Sequence, residues 1–400
     1  MTTTLVRNIG SFFSGEPGSG VLRDTALTIE DGVISGIGEE PPAPDVVIDA
    51  AGLAAMPGYV DGHVHPTFGE YTPAQDAIGW VRNYLHGGTT TMVSAGELHI
   101  PGLAFDELDP RTVLSIAFTS RATTGRYRPS GVKLHAGTVL LVTGMRESDF
   151  DQMVEAGLRH VKFIFYNWDT APGGEAQDYV RWCNERGLVV KIHSGGVSRS
   201  GSSRTAGHEV VTAVGPDVVA HISGGPIPMP DEEIRSVIDA LPDAAIEICS
   251  SMNYRATKVT TDHLQATGQL GRLTLGTDTP GGTGVIPRGM ARTICFLASM
   301  CGVDPLDAIA AATSVTARQH AVPGGLLAVG QPADLQLLGP IQGSLAEDAF
   351  QAFALGDLPG ISTVLIDGIP LVVARSQQTP PPKALASFEH GSWQDLLPPR

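Results

Sequence analysis

Two histidines, His63 and His65, stand one residue apart in the stretch "PGYVDGHVHP". Alternate residues of a β-strand point to the same face, so the two imidazole rings would project toward one point in space. A strand that offers two ligands in this way can hold a metal ion. For this pair alone, chance or two rings bonded separately to backbone carbonyls explains the spacing equally well, so the rest of the chain has to decide.

In the middle of the chain, strand-like segments alternate with helix-like ones. This pattern predicts a parallel sheet with helical crossovers. Eight segments have the composition of strands: "YVDGHVH", "TTTMVSAG", "GVKLHAGTVLL", "HVKFIF", "LVVKIHSG", "DVVAHISG", "AAIEICSS" and "LTLGTDT". Stretches with helical periodicity lie between them, such as "RESDFDQMVEAG" and "PDEEIRSVIDALP". Eight strand–helix units predict a (β/α)8 barrel.

In barrels of this kind the active site lies at the C-terminal ends of the strands. Six polar side chains fall on the predicted strands or at their ends: His63 and His65 on the first, Lys162 on the fourth, His193 on the fifth, His221 on the sixth and Asp278 on the eighth. Scattered surface histidines would have no reason to fall repeatedly at such positions. The pattern therefore predicts one cluster of metal-ligating groups on one rim.

Composition narrows the class of protein. The 400 residues are 42% hydrophobic and contain 48 glycines and 29 prolines, which fits a large core with many short connections. A net charge of −16 argues against nucleic acid and anionic membranes as partners. The N-terminal stretch lacks the apolar core of a signal peptide, and no run of about twenty apolar residues follows, so we expect a cytoplasmic protein with a small-molecule substrate.

Both ends of the chain read as β-structure, including a hairpin turn at Asp31-Gly32. We therefore expect a small β-sandwich domain built from residues 1–56 and 325–375. The barrel would occupy 57–324, and the proline-rich residues 376–400 would form a C-terminal tail.

Taken in order, these features resemble the amidohydrolase superfamily. The resemblance rests on "PGYVDGHVHP", a strand lysine, one histidine on each of the next two strands, "GTDTP", and "GGLLAVGQPADL" near the return to the terminal sheet. It implies an α/β fold: a distorted (β/α)8 TIM barrel with a small β-sandwich domain formed from both termini. It also implies a binuclear metal centre at the strand ends.

The resemblance assigns a role to each ligand candidate. His63, His65 and Asp278 would hold the more buried metal, and His193 and His221 the second. Lys162 would bridge them as a carbamate formed with carbon dioxide, because an ammonium cannot ligate whereas a carbamate offers two anionic oxygens. Glu155, in the preceding helix, is the alternative bridging acid. Such ligands suit zinc, with iron, manganese or nickel as alternatives.

The resemblance further implies hydrolysis of an amide C–N bond, with a small cyclic amide such as a lactam or enamide as the expected substrate. Two cations that share a hydroxide would lower its pKa, and one of them would polarise the carbonyl. Asp278 would act as general base and then general acid. Asp61 would orient a ligand histidine.

Substrate contacts are expected from four side chains near the rim: His135 on the third predicted strand, and His99, Tyr166 and Arg204 in loops. For the first three a loop, surface or core role is an equally good interpretation, and for Arg204 a flexible solvated loop is the better one. Three other functions stay open: a mononuclear-metal deaminase, an N-acyl amino acid amidase and a non-catalytic relative that assembles with partners. Family likeness also implies a homo-oligomer, with a tetramer possible.

Overall fold

The computed structural model describes residues 2–66, 80–97, 108–164, 168–196, 205–224, 227–251, 253–280, 282 and 284–397. Its strands are β1 (Thr3–Phe12), β2 (Leu22–Glu30), β3 (Val33–Ile37), β4 (Val46–Asp49), β5 (Ala54–Pro57), β6 (Tyr59–Val64), β7 (Thr89–Ser94), β8 (Lys133–His135), β9 (Val139–Leu140), β10 (His160–Phe163), β11 (Val189–His193), β12 (Val218–Ala220), β13 (Ala245–Cys249), β14 (Leu273–Gly276), β15 (Leu335–Gly339), β16 (Gly360–Ile366), β17 (Ile369–Val372) and β18 (Ser387–His390). Its helices are α1 (Trp80–His86), α2 (Pro110–Thr124), α3 (Glu147–Glu155), α4 (Glu175–Arg186), α5 (His208–Val214), α6 (Asp231–Ala240), α7 (Tyr254–Ala266), α8 (Gly289–Cys301), α9 (Pro305–Ala311), α10 (Ser314–Gln319) and α11 (Ala349–Leu355).

Strands from both ends of the chain share one sheet. Its main path runs β17-β16-β15-β5-β1-β2-β3, while β4 pairs with β1 and β18 pairs with β4. The β2–β3 hairpin turns at Asp31 and Gly32, with φ of 45° and 86°. Positive φ at both central residues suits the right-handed twist of a hairpin, as the Asp-Gly pair predicts.

The segment that the composition assigned to a tail returns to this sheet. Ser387–His390 forms β18 and pairs antiparallel with β4, and Phe388 lies opposite Ile48. The prolines before this strand have no backbone N–H to donate to a neighbouring strand. For this reason the composition of the segment predicted a tail and not a strand. The prolines precede the strand rather than continuing through it.

The middle of the chain forms parallel strands. Strands β6, β7 and β8 make one sheet, and β9 to β14 make a second in sequence order. The outer strands β6 and β14 continue side by side beyond their ends: the Asp278 amide donates to the His63 carbonyl at 2.8 Å, and the His65 amide donates to the Thr279 carbonyl at 2.6 Å. These bonds bring the first and last strand ends together.

The third predicted strand is two short strands in different sheets. β8 pairs with β7, whereas β9 pairs with β10. Between them Gly137 has a φ of 97°, a conformation that favours glycine. The Glu97 carboxylate accepts the Gly137 amide at 3.0 Å, and the Thr138 hydroxyl donates to the Ser94 carbonyl at 2.6 Å. The break is therefore held in place by β7 and the turn that follows it.

Helices cover the parallel strands and begin and end where local chemistry indicates. Asp109 caps α2 by accepting the Thr112 amide at 2.8 Å, and Pro110 follows in the first turn. α4 ends at Gly187 with left-handed backbone. After α8 the chain forms two short helices, α9 and α10. Among the described residues, none of the helices is long and apolar enough to cross a membrane.

The described part of the chain forms two apolar cores. The larger lies among the parallel strands and their helices and includes Phe163, Val190 and Ile248. The smaller lies within the terminal sheet and includes Val6, Leu27 and Leu335. The larger core surrounds the strand ends where the candidate ligands converge.

Candidate metal centre

His63, His65 and Asp278 form a buried cluster where β6 and β14 end. One ligand atom from each lies within 4.8 Å of the other two. The Nε2 atoms of His63 and His65 lie 3.6 Å and 3.2 Å from the same carboxylate oxygen, Oδ1 of Asp278. All three residues are at most 6% exposed. Two imidazole nitrogens and a carboxylate oxygen converge as ligands of a divalent cation do.

The backbone around this cluster is fastened by Asp61. Its Oδ1 accepts the backbone amides of His63 and Thr277 at 3.2 Å and 2.9 Å. Asp61 therefore joins the first strand to the last and holds the chain of His63, not its ring. Asp278 follows with a φ of 59°, uncommon for a residue other than glycine, which turns its carboxylate toward the cluster.

Close packing also constrains His63 from β14. A Cβ atom at Gly276 would lie 2.6 Å from the Cβ of His63, closer than real Cβ contacts. Only glycine leaves space for the His63 side chain at this crossing. The "GTDTP" stretch thus contributes its glycine as well as its aspartate.

His193 and His221 form the second pair of rings. Nδ1 of His193 faces Nε2 of His221 at 3.1 Å, and the ring centroids are 4.6 Å apart. His221 is also 5.3 Å, centroid to centroid, from His63, so the two pairs adjoin. The ends of β11 and β12 therefore bring a second set of nitrogen ligands beside the first.

Lys162, on β10, contacts the first of these groups. Its Nζ is 2.9 Å from Nε2 of His63, and the residue is 2% exposed. Burial lowers the pKa of Lys162, although the charges of Asp278 and Glu247 oppose the shift. A lowered pKa favours the neutral amine, the form that can react with carbon dioxide. The alternative acid, Glu155, is exposed at the end of α3.

The outer nitrogens of three rings already have partners. His63 Nδ1 lies 2.6 Å from Oε1 of Glu247, His65 Nδ1 lies 2.7 Å from the Gly96 carbonyl, and His193 Nε2 lies 3.0 Å from the Gly196 carbonyl. Each of these oxygens can accept a hydrogen bond from the N–H of the ring. The other ring nitrogen then carries no proton, and its lone pair is directed inward. This arrangement is typical of metal-bound histidines, so the donor set fits a metal centre.

The electrostatics agree with ligand roles. Burial lowers the pKa of His221 to about 3 and that of His193 to about 4, and it holds the pKa of His63 well below its usual value. Burial alone would raise the pKa of Asp278, but the hydrogen bond to His65 and the surrounding histidines lower it below its ordinary range. Neutral imidazoles and an ionised carboxylate are the forms that bind cations.

Two buried charged residues beside the centre were not predicted from the sequence. Glu247, in the middle of β13, contacts His63, and Lys191 on β11 donates to the carbonyls of Gly62 and Ser94 at 3.0 Å and 3.3 Å. A signal was available, because a charged residue inside an apolar strand such as "AAIEICSS" is rare without a partner. Lys191 lies opposite Lys162 in register, yet only Lys162 contacts a candidate ligand among the described residues.

The predicted substrate contacts have a different outcome. His99, Tyr166 and Arg204 lie outside the described residues. His135 ends β8, where burial lowers its pKa to about 4, and its Nε2 has no hydrogen-bond partner in the part of the chain that the structure describes. A neutral ring with an unused nitrogen leaves its predicted role as a substrate contact open.

A comparison with known families identifies the class. The model of the amidohydrolase family matches residues 54–369, most of the chain. The chain therefore belongs to the amidohydrolase family, and the assignment made from the sequence motifs is confirmed. Members of this family are metal-dependent, in keeping with the candidate ligands above.

Comparisons with individual proteins show how much of the chain each of them resembles. Enamidase of Eubacterium barkeri is 39% identical over 392 residues, which are 97% of this chain and 100% of that protein. The crystal structure of enamidase matches with a TM-score of 0.87 and 38% identity, over 97% of this chain and 100% of that one. Imidazolonepropionase of Saccharopolyspora erythraea is 27% identical over 220 residues, 48% of this chain and 57% of that protein. The likeness to enamidase thus spans essentially the full length of both proteins.

Proposed function

We propose that this protein hydrolyses the amide C–N bond of a small cyclic amide in a metal-dependent reaction. The observation that carries the proposal is the buried convergence of four imidazoles, one carboxylate and one lysine at the strand ends. The full-length likeness to enamidase supports a cyclic enamide or lactam as the substrate class.

Two divalent metal ions would be held by this set, zinc being the metal that the ligands suit best. His63, His65 and Asp278 would hold one ion, and His193 and His221 the other. Lys162 would join both after its neutral Nζ attacks carbon dioxide, which forms an N–C bond and releases a proton to leave an anionic carbamate. The contact between Nζ and Nε2 of His63, at 2.9 Å, supports this assignment.

When bound, the ions would lower the pKa of a water molecule and polarise the substrate carbonyl. Asp278 would accept a proton from the attacking water and deliver it to the leaving nitrogen. Its Oδ1 lies beside Nε2 of both His63 and His65, so the carboxylate is positioned by two neighbours before substrate arrives. Ring opening would yield an open-chain amino acid or an enamine that hydrolyses further.

The proposal extends to architecture. The eight strand positions would close into a distorted (β/α)8 barrel, which the parallel bridge between Val64 and Thr279 supports. The terminal sheet would form a β-sandwich domain from residues 1–56 and 325–375, to which Ser387–His390 adds a strand. We also propose a homo-oligomer, as the family likeness implies.

A hydrolysis screen tests the substrate class. Metal-loaded protein would be incubated with lactams, cyclic imides, hydantoins and linear N-acyl amino acids, with Asp278→Asn as the matched control. Ring opening of a lactam or cyclic enamide that is lost in the control is the expected result. A preference for linear N-acyl amino acids over every cyclic amide would overturn the cyclic substrate. Release of ammonia from an exocyclic amine would favour a deaminase instead.

A further inference from the structure

Glu247 lies in the centre of β13 and is fully buried. Its Oε1 lies 2.6 Å from Nδ1 of His63 and accepts the backbone amide of His221 at 3.1 Å. The thiol of Cys249 makes a weaker contact to the same oxygen at 3.5 Å. One carboxylate oxygen therefore touches a ligand candidate from each half of the proposed centre.

The two contacts act on different parts of the ligands. At His63, Oε1 accepts a hydrogen bond from Nδ1–H. This bond fixes the tautomer and leaves the Nε2 lone pair directed toward Asp278 and Lys162. At His221, the same oxygen holds the main chain, not the ring. The orientation of the His63 ring and the path of the chain at His221 thus depend on one atom.

The backbone at His221 adopts a conformation that needs stabilising hydrogen bonds. Its φ is 38°, a left-handed value that residues other than glycine adopt only when the surroundings impose it. Glu247 supports this turn twice, because its own carbonyl also accepts the amide of Ile222 at 2.9 Å. Without the carboxylate, the His221 amide would lose its partner, and the left-handed turn would lose one of the two hydrogen bonds that Glu247 gives it.

Burial raises the pKa of Glu247, and the positive charges around the carboxylate oppose that shift without competing for Oε1. The buried ammonium of Lys191 interacts electrostatically with the carboxylate from β11. On the other side, Nε2 of His320 is 3.8 Å from Oε2, too far for a hydrogen bond. Oε1 therefore carries the contacts to the ligands, and Oε2 has no hydrogen-bond partner among the described residues.

We propose that Glu247 is a positioning residue shared by both metal sites, which sets the His63 tautomer and the His221 backbone together. The inference rests on the proposed metal centre and adds a residue that couples its two halves. A carboxylate that merely balances the charge of Lys191 would have no such effect on metal affinity.

The test compares three substitutions and a control. Glu247→Ala removes both contacts, and Glu247→Gln keeps an oxygen at the Oε1 position. Glu247→Asp keeps the negative charge near Lys191 but is one methylene too short to reach His63 and His221. Cys249→Ala is the matched control, since it removes only the weak thiol contact.

Stepwise zinc affinities would be measured by competition with a fluorescent chelator, and the absorption bands of cobalt-substituted protein would report ligand geometry. We expect Ala and Asp to weaken both sites by about 10- to 100-fold and to alter the cobalt bands, with Gln restoring most of the affinity. Cys249→Ala should behave as wild type.

Other outcomes separate the inference from the proposed function. Wild-type affinity in the Asp variant would show that Glu247 only balances charge, and weakening of one site alone would show that it is not shared. Either result overturns the inference. If Glu247→Ala does not fold, the Asp and Gln variants decide the question by themselves. Absence of metal binding in the wild type would instead reject the metal centre.

Discussion

Lys133 forms a buried ion pair that joins the parallel strands to the terminal sheet. From β8 its Nζ donates to both carboxylate oxygens of Asp334 at 2.9 Å and 2.7 Å, and to Asp367 at 2.6 Å. The Asp334 side chain is 1% exposed and that of Asp367 is 40% exposed. Burial raises the pKa of Asp334 despite its bonds to Lys133. At Asp367, burial also acts to raise the pKa, but Lys133 and Arg128 together outweigh it and lower the pKa.

Lys133→Met keeps the length of the side chain and removes its charge. Asp334 would then be buried without a cation, a loss that costs roughly 3–5 kcal/mol of folding free energy in comparable pairs. We expect the low end, about 3 kcal/mol, for two reasons. Asp367 retains its bond to Arg128 at 2.7 Å, and Asp334 retains the Asp367 backbone amide at 2.8 Å. The folded-to-unfolded ratio would fall by roughly a hundredfold.

The assay is urea unfolding of the metal-free protein, with agreement between fluorescence and circular dichroism as the check on two-state behaviour. Arg128→Met is the control, because it removes an ion pair whose side chains are 55% and 40% exposed and should cost less than about 1 kcal/mol. Lys133→Met combined with Asp334→Asn should recover much of the loss, since the buried charge is gone. Equal losses for Lys133→Met and the Arg128 control would refute this account.

Three further results are expected. Protein loaded with metal in bicarbonate-free buffer should hydrolyse substrate poorly and recover its activity when bicarbonate is added. Lys162→Ala should lose metal. If activity does not respond to bicarbonate and the variant keeps its full metal content, Lys162 is not the bridging ligand. Asp278→Asn should keep most of its metal but lose turnover by at least about a hundredfold in steady-state assays, because the amide cannot take a proton; near-normal turnover would reject the proton transfer. Burial raises the pKa of Glu97 from 4.5 to about 7, so the folded protein holds this proton more tightly than the unfolded chain does. The stability that the protonated carboxyl contributes is fully present below pH 4.5 and is lost as the pH rises through 7. Relative to Glu97→Gln, wild type should lose about 3 kcal/mol of unfolding free energy between pH 4.5 and pH 8, and parallel curves would contradict this.

The positions of the candidate ligands could be predicted because they follow from topology. The ends of parallel strands meet at one edge, so a histidine at each end is enough to expect a cluster. His193 and His221 are 28 residues apart in sequence, yet their ring nitrogens face each other at 3.1 Å. No detailed packing was needed for that inference.

Glu247 could not be assigned in the same way. Its role depends on which ring nitrogen and which backbone amide reach its carboxylate, and this geometry comes from packing across strands far apart in sequence. The split of the third strand at Gly137 and the return of Ser387–His390 to the sheet were missed for a similar reason. Both depend on long-range hydrogen bonds that local periodicity does not contain.

We propose that the chain holds two metal ions at one buried centre. The most direct test of this proposal is the metal content per chain, measured by inductively coupled plasma mass spectrometry after reconstitution with zinc and bicarbonate and removal of free metal. We expect two ions per chain in the wild type and a marked loss in Lys162→Ala. A single ion in the wild type would favour a mononuclear enzyme, and none would contradict the metal centre altogether.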